Sequence, residues 1–184
     1  MQVQHTSCFH LLGFAFIAIA LAGCETMSKE ECLSADWFQV GYQDGRDGKE
    51  RAQIEYIAES CAKANIAPDR ERYFYGRDKG LLEYCTPEHG FYLGKNGTSY
   101  NRVCPPGTAS IFEASYNEGR RVYDARQHLK RLEASRHKLE DQLSKAETDE
   151  EKKHTRDELE ELDKRLRFAR DTLQFIENES RHFH

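Results

Sequence analysis

Six cysteines hold most of the chemistry this sequence can offer: Cys8, Cys24, Cys32, Cys61, Cys85 and Cys104. The last four lie in the polar part of the chain, where neither a C-x-x-C pair nor the C-x-x-C-H of haem attachment occurs. Zinc is the rival reading, but structural zinc sites draw on closely spaced thiolates, which these four do not offer. Two disulfides are the expectation for an even number of cysteines beyond an export segment. Three pairings are open. The local one, Cys32–Cys61 with Cys85–Cys104, closes two self-contained segments and would stabilise the fold by about 3 kcal/mol for each in the chain-entropy model. Cys24 stands apart. It follows Leu21-Ala22-Gly23, at the close of an apolar run that begins at Leu11, so cleavage there would leave a thiol at a new N-terminus.

The other reactive residue types do not converge. G-x-S-x-G, H-E-x-x-H and phosphate-cradling glycine loops are absent, and Gly45-Arg46-Asp47-Gly48 is too short and too acidic for a phosphate nest. Glu88-His89 is an adjacent acid–base pair, but adjacency does not supply geometry; a small periplasmic hydrolase built on it is the third reading. Trp37, Tyr92 and Tyr100 offer ring faces to peptidoglycan sugars, the second reading, although buried rings in a glycine-rich core explain them equally. No catalytic residue, cofactor or metal ligand is expected, and His182 and His184 fall in a tail.

The apolar run Leu11–Ala22 is about a dozen residues, short of the ~20 that span a bilayer core. It fits the h-region of a signal peptide, although the stretch before it has His5 and His10 and no Lys or Arg. An ordinary cleaved signal and a short buried core segment are the rivals. Leu21-Ala22-Gly23-Cys24 resembles the lipobox of bacterial lipoproteins. That resemblance implies that Cys24 is diacylated and residues 1–23 are removed. Glu25, in place of the Asp that favours inner-membrane retention in enteric bacteria, implies the outer membrane. One acyl chain anchors a protein only marginally; a diacylglycerol plus an amide-linked chain would hold it. Residues 1–23 contain no Lys, Arg, Asp or Glu, so the remainder keeps the formal charge of -5. That mild acidity argues against a nucleic-acid partner, which calls for a concentrated basic face.

The elements that would position these residues are mostly helical. Residues 24–31 read as a polar tether. Asp36-Trp37-Phe38-Gln39 opens a helix that Gly45 and Gly48 close. Ile54, Ile57, Ala58 and Cys61 form an apolar stripe on a second helix, about Glu50 to Asn65, ended by Pro68. Asp69 caps a third, which carries Tyr73 to Tyr84. Gly90 to Tyr100 changes character: two aromatic-bearing runs flank Lys95-Asn96-Gly97, which predicts a β-hairpin stapled by Cys85–Cys104. Ser110-Ile111-Phe112-Glu113 is a further capping-box pattern. Beyond it apolar residues keep alternating three and four spacings through Ala146, with Arg136 interrupting, and again in another phase from Leu159 to Ile176. Thr148-Asp149-Glu150-Glu151 caps between them, so an antiparallel helical hairpin follows. One unbroken helix that dimerises is the alternative.

Three segments also share a small residue four before a glycine: Gly41/Gly45, Gly76/Gly80 and Ser115/Gly119. Residues four apart share a helix face, so these pairs read as flat grooves where helices cross tightly. The other reading sets the glycines around a ligand, with Asp44, Arg46, Asp47, Arg77 and Asp78 at its rim. Cys32, Asp36-Trp37, Gly41-Tyr42-Gln43-Asp44-Gly45, Cys61, Ala67-Pro68-Asp69, Tyr73, Gly76-Arg77-Asp78-Lys79-Gly80-Leu81, Tyr84-Cys85-Thr86-Pro87, Gly90, Gly94, Gly97, Tyr100 and Cys104-Pro105 together resemble an uncharacterised bacterial lipoprotein family, domain of unknown function 2799. The resemblance covers about Cys32 to Tyr123. It implies an envelope lipoprotein with paired cysteines, and it implies no activity.

The expectation is therefore a mainly α chain. Residues 1–23 are a lipoprotein signal, 24–31 a tether, and 32–123 a disulfide-stapled helical domain with one short β-hairpin. Residues 124–178 form a coiled-coil helical hairpin and 179–184 a disordered tail. The functional expectation is a structural or interaction protein, lipid-anchored through Cys24 at the outer membrane and facing the periplasm. Its coiled coil would meet an envelope protein or a second copy.

Overall fold

Side-chain caps set where most of the helices begin. Ser28 and Glu31 form a reciprocal capping box at the start of α1 (Lys29–Ser34). Asp36 caps α2 (Trp37–Arg46), and Asp69 caps α4 (Arg70–Tyr84) by accepting from the Arg72 N–H at 3.0 Å. Helix α3 (Gln53–Ala62) lies between them without a side-chain cap. Thr86 caps α5 (Pro87–Lys95). Helix α6 (Pro106–Lys145) begins behind Pro105, four residues before the expected Ser110 cap, and spans about 60 Å at 1.5 Å per residue. Thr148 and Glu151 form the expected box at the head of α7 (Asp149–Glu179), and a 3-10 turn, Ser180–Phe183, follows. This computed structural model describes residues 27–183, with the backbone alone at 182 and 183. The readings at Cys8, Cys24 and His184 lie outside them. Helix α1 starts inside the polar stretch 24–31. Within the stretch 179–184 read as a tail, Glu179 ends α7 and Ser180, 1% exposed, opens the 3-10 turn and donates to the Ile176 carbonyl at 2.7 Å.

The expected β-hairpin is not formed, and no strand occurs among the described residues. Gly90 to Lys95 is the body of α5. Thr86 Oγ1 accepts from the His89 N–H, and Pro87 sits at the first helical position, where its missing N–H costs nothing. Lys95-Asn96-Gly97 ends this helix rather than turning a hairpin. Gly97 stands at φ +73°, its N–H bonds the Gly94 carbonyl at 3.0 Å, and the Thr98 N–H bonds the Leu93 carbonyl at 3.0 Å. That is the Schellman arrangement. Asn-Gly signals a hairpin because glycine accepts positive φ, and the same freedom closes a helix.

Correcting that element exposes an architecture built twice. In the first unit α2 packs on α4. A Cβ at Gly41 would lie 1.9 Å from the Tyr73 carbonyl oxygen, one at Gly45 2.3 Å from that of Arg77, one at Gly76 2.0 Å from that of Phe38 and one at Gly80 2.0 Å from that of Tyr42. The order of these contacts means that the two helices run in the same direction with their backbones touching. In the second unit α5 packs on α6 by the same scheme. Gly90 faces the Phe112 carbonyl, Gly94 that of Tyr116 and Gly119 that of Phe91, and buried Ser115 takes the fourth small position. Gly48, at φ +64°, lies under the Tyr84 ring as Gly97 lies under that of Tyr123. The Gly48 and Lys49 N–H groups repeat the same helix end, bonding the Gly45 and Asp44 carbonyls at 3.1 and 2.9 Å.

Each unit has its own apolar centre. Cys32, Ile54, Ile57, Cys61 and Tyr73 cluster in the first. Cys85, Leu93, Cys104 and Phe112 cluster in the second, joined there by Leu81 and Tyr84 of α4, so this core also couples the units. Helix α6 then continues past Tyr123 without a break and α7 returns along it. Leu132, Leu162, Leu166 and Ala169 form the seam, with Arg136–Asp163 at 3.4 Å and Arg170–Glu133 at 3.5 Å across it. Residue numbers rise along α6 as they fall along α7, so the two are antiparallel. The C-terminal end of α7 returns to the domain, where Ile176 packs with Phe91 and Val122.

Candidate functional site

Of the residues singled out for chemistry, the four cysteines are brought together in the local pairing. Cys32 bonds Cys61 with Cα atoms 5.5 Å apart, and Cys85 bonds Cys104 at 5.6 Å. All four are buried, one pair against Tyr73 and the other against Phe112. The lipidation reading at Cys24 lies outside the described residues. Among those residues no three His, Cys, Asp or Glu side chains group as metal ligands, and no helix is long and apolar enough to cross a membrane.

The glycine grooves are filled by the backbone of the opposing helix, which leaves no room for a ligand between them. Their supposed rim divides. Arg46 pairs with Glu83 at 3.0 Å on the surface, Asp47 accepts from Gln43, and Asp78 is exposed. Asp44 and Arg77 turn inward. The Tyr73 hydroxyl, fully buried, donates to Asp44 Oδ2 at 2.6 Å. Arg77 is only 4% exposed; its Nη2 donates to the Lys49 carbonyl at 2.7 Å, and its buried Nε has no hydrogen-bond partner. The Asp44–Tyr73 bond went unseen in the sequence. Its signal was register, since Asp44 stands three residues after Gly41 and Tyr73 three before Gly76.

Burial, only partly offset by the Tyr73 hydrogen bond and nearby Lys49, raises the Asp44 carboxyl above its ordinary 3.8. Burial likewise pulls the Arg77 guanidinium down, and burial with the Asp44 bond pushes the Tyr73 phenol up. A carboxyl raised by folding binds its proton more tightly in the folded state. Its stabilising contribution is therefore complete below pH 3.8 and is lost as pH rises through the raised value. Asp44→Asn keeps an acceptor for Tyr73 without the charge. The stability of the native protein minus that of the variant, from urea titrations at successive pH values, is expected to fall as pH rises from 3.8 and then level off. A difference that is flat or rises would contradict this.

Glu88 and His89 do not form an acid–base site. Glu88 is exposed, and His89 Nδ1 lies 2.8 Å from the Tyr84 carbonyl, where it donates, with its ring 4.6 Å edge-on from that of Tyr84. The imidazole is packing. Trp37, Tyr92 and Tyr100 share no stacking face. Trp37 packs into the first-unit core and Tyr100 into the second, with its hydroxyl accepting from the Cys104 N–H. Tyr92 alone is exposed, on α5.

Comparison with known proteins gives one family match. Residues 36–121, which hold the packing glycines of both helix pairs, match the family described as protein of unknown function (DUF2799). No curated protein matches the chain, and no solved structure does.

Proposed function

We propose that this chain, which carries a domain of the unknown-function family 2799 at residues 36–121, is an envelope lipoprotein whose helical arm engages a protein partner. The observation that carries the reading is the conjunction of Leu21-Ala22-Gly23-Cys24 with two disulfides beyond it. Buried disulfides in a small domain belong to an oxidising compartment; the apolar run Leu11–Ala22 supplies the export route, and a diacylated Cys24 the anchor. The outer membrane, facing the periplasm, is the destination proposed.

The arm supplies the interaction surface. Phe168 and Phe175, 75% and 59% exposed, stand seven residues apart on one face of α7, off the seam made by Leu162, Leu166 and Ala169. Exposed rings at heptad spacing suit a partner helix. Metabolic labelling with palmitate tests the anchor: the native protein is expected in the membrane fraction carrying label, and Cys24→Ala without either. Crosslinking in the envelope tests the arm. Phe168→Ser with Phe175→Ser should lose the crosslinked neighbour while Cys24 acylation persists. An unlabelled, cytosolic native protein with free thiols would overturn the proposal.

A further inference from the structure

A cleft of about 610 Å³ lies between α4, the α2–α3 link and the segment that leads into α6. Arg77 lines it from α4, Arg51 from the link and Arg102 from the segment, with Leu81, Val103 and Pro105 as apolar wall. Arg51 is held with its guanidinium 4.0 Å over the Phe74 ring. Arg102 stands at φ +53°, the left-handed region that disfavours a residue other than glycine. Glu50 and Asp78 also line the cleft, so its lining charge is three arginines against two carboxylates.

The second unit shows that this fold has no need of a buried guanidinium. Counted from the matched small residues, Asp44, Tyr73 and Arg77 correspond to Leu93, Phe112 and Tyr116. The Tyr116 hydroxyl donates to the Thr98 carbonyl at 3.0 Å, the counterpart of the bond from Arg77 to the Lys49 carbonyl. A neutral side chain therefore does the same structural work after the same helix end. Arg77 differs in two respects: it has no ion pair within 4 Å among the described residues, and its Nε–H is buried without a partner. Burying a charged group in that condition is costly, and the unfilled donor lies on a residue that lines the cleft.

We propose that this cleft binds a carboxylate attached to a small apolar body, such as the C-terminal residue of a peptide. The planar Arg77 guanidinium would take the carboxylate, with Arg51 and Arg102 beside it, and Leu81 and Val103 would take the apolar part. An excess of one positive charge fits a monoanion. This site is independent of the anchoring reading.

Titration of the isotope-labelled chain with N-acetylleucine, followed by NMR, tests it. Saturable shifts are expected at the Arg77 Nε–H and at Arg51, Arg102 and Val103, with none from N-acetylleucinamide. Arg77→Tyr adopts the second unit's own solution and should keep the fold while weakening binding at least about tenfold. Arg102→Gln, on the exposed rim, should weaken it several-fold, and it decides the matter if the Arg77 variant does not fold. Equal binding of the amide, tighter binding of inorganic phosphate, no saturable shift, or unchanged affinity in the Arg102 variant would each overturn the proposal.

Discussion

Gly41→Ala is expected to lower the stability of the folded chain by about 2–4 kcal/mol. In an ordinary helix the change would help, since alanine is favoured over glycine by about 1 kcal/mol. Here the new Cβ would sit 1.9 Å from the Tyr73 carbonyl oxygen. That neighbour is backbone in a helix, so relief requires α2 and α4 to separate by more than an ångström. Separation loosens the contacts at Gly45, Gly76 and Gly80 as well, because all four belong to one interlocked face. Gly107→Ala is the matched control. Gly107 lies in the first turn of α6, and a methyl added there would meet nothing within 4 Å, so the change should be neutral or stabilising by up to about 1 kcal/mol. Gly41→Ala with Gly80→Ala should cost less than the sum of the two, since the first already parts the helices. Urea midpoints for the four variants measure all of this. Equal midpoints for the Gly41 and Gly107 variants would mean that the backbones do not touch.

The same interface explains what was legible in the chain and what was not. Gly41/Gly45, Gly76/Gly80 and Ser115/Gly119 were readable because small residues four apart have one strong meaning on a helix. The fourth member, Gly90/Gly94, has the same spacing, yet Phe91, Tyr92 and the Asn96-Gly97 pair favoured a strand and a tight turn. Local propensity and tertiary packing disagreed there, and packing prevailed because the α6 groove needs a partner with no Cβ. The local disulfide pairing was legible from sequence separation alone. The antiparallel return of α7 followed from the phase slip and the Thr148 box. Burial of Arg77 was not legible. Arg77 and Asp78 are charged neighbours in the third expected helix and were set together at the rim of one groove, whereas the structure buries Arg77 and exposes Asp78.

That match also predicts how the two disulfides differ. Loop closure alone scarcely separates them: sequence separations of 29 and 19 residues correspond to roughly 3–4 kcal/mol each. Their surroundings do separate them. Cys32–Cys61 ties α1 to α3 inside a cluster belonging to the first unit only. Cys85–Cys104 sits in the cluster where Leu81 and Tyr84 of α4 meet Leu93 and Phe112 of the second. Cys32→Ala with Cys61→Ala should therefore lose amide-exchange protection chiefly in α3 and the neighbouring ends of α2 and α4. The α5–α6 pair, held by its own glycine contacts, should keep its protection. Cys85→Ala with Cys104→Ala should lower protection in α4, α5 and the first turns of α6 together, because the core it opens is the one that joins the units. Hydrogen exchange followed by mass spectrometry distinguishes the two patterns. If both variants lost protection evenly from α2 to α6, the domain would be a single cooperative body, and the division into two units would describe its geometry without describing its energetics.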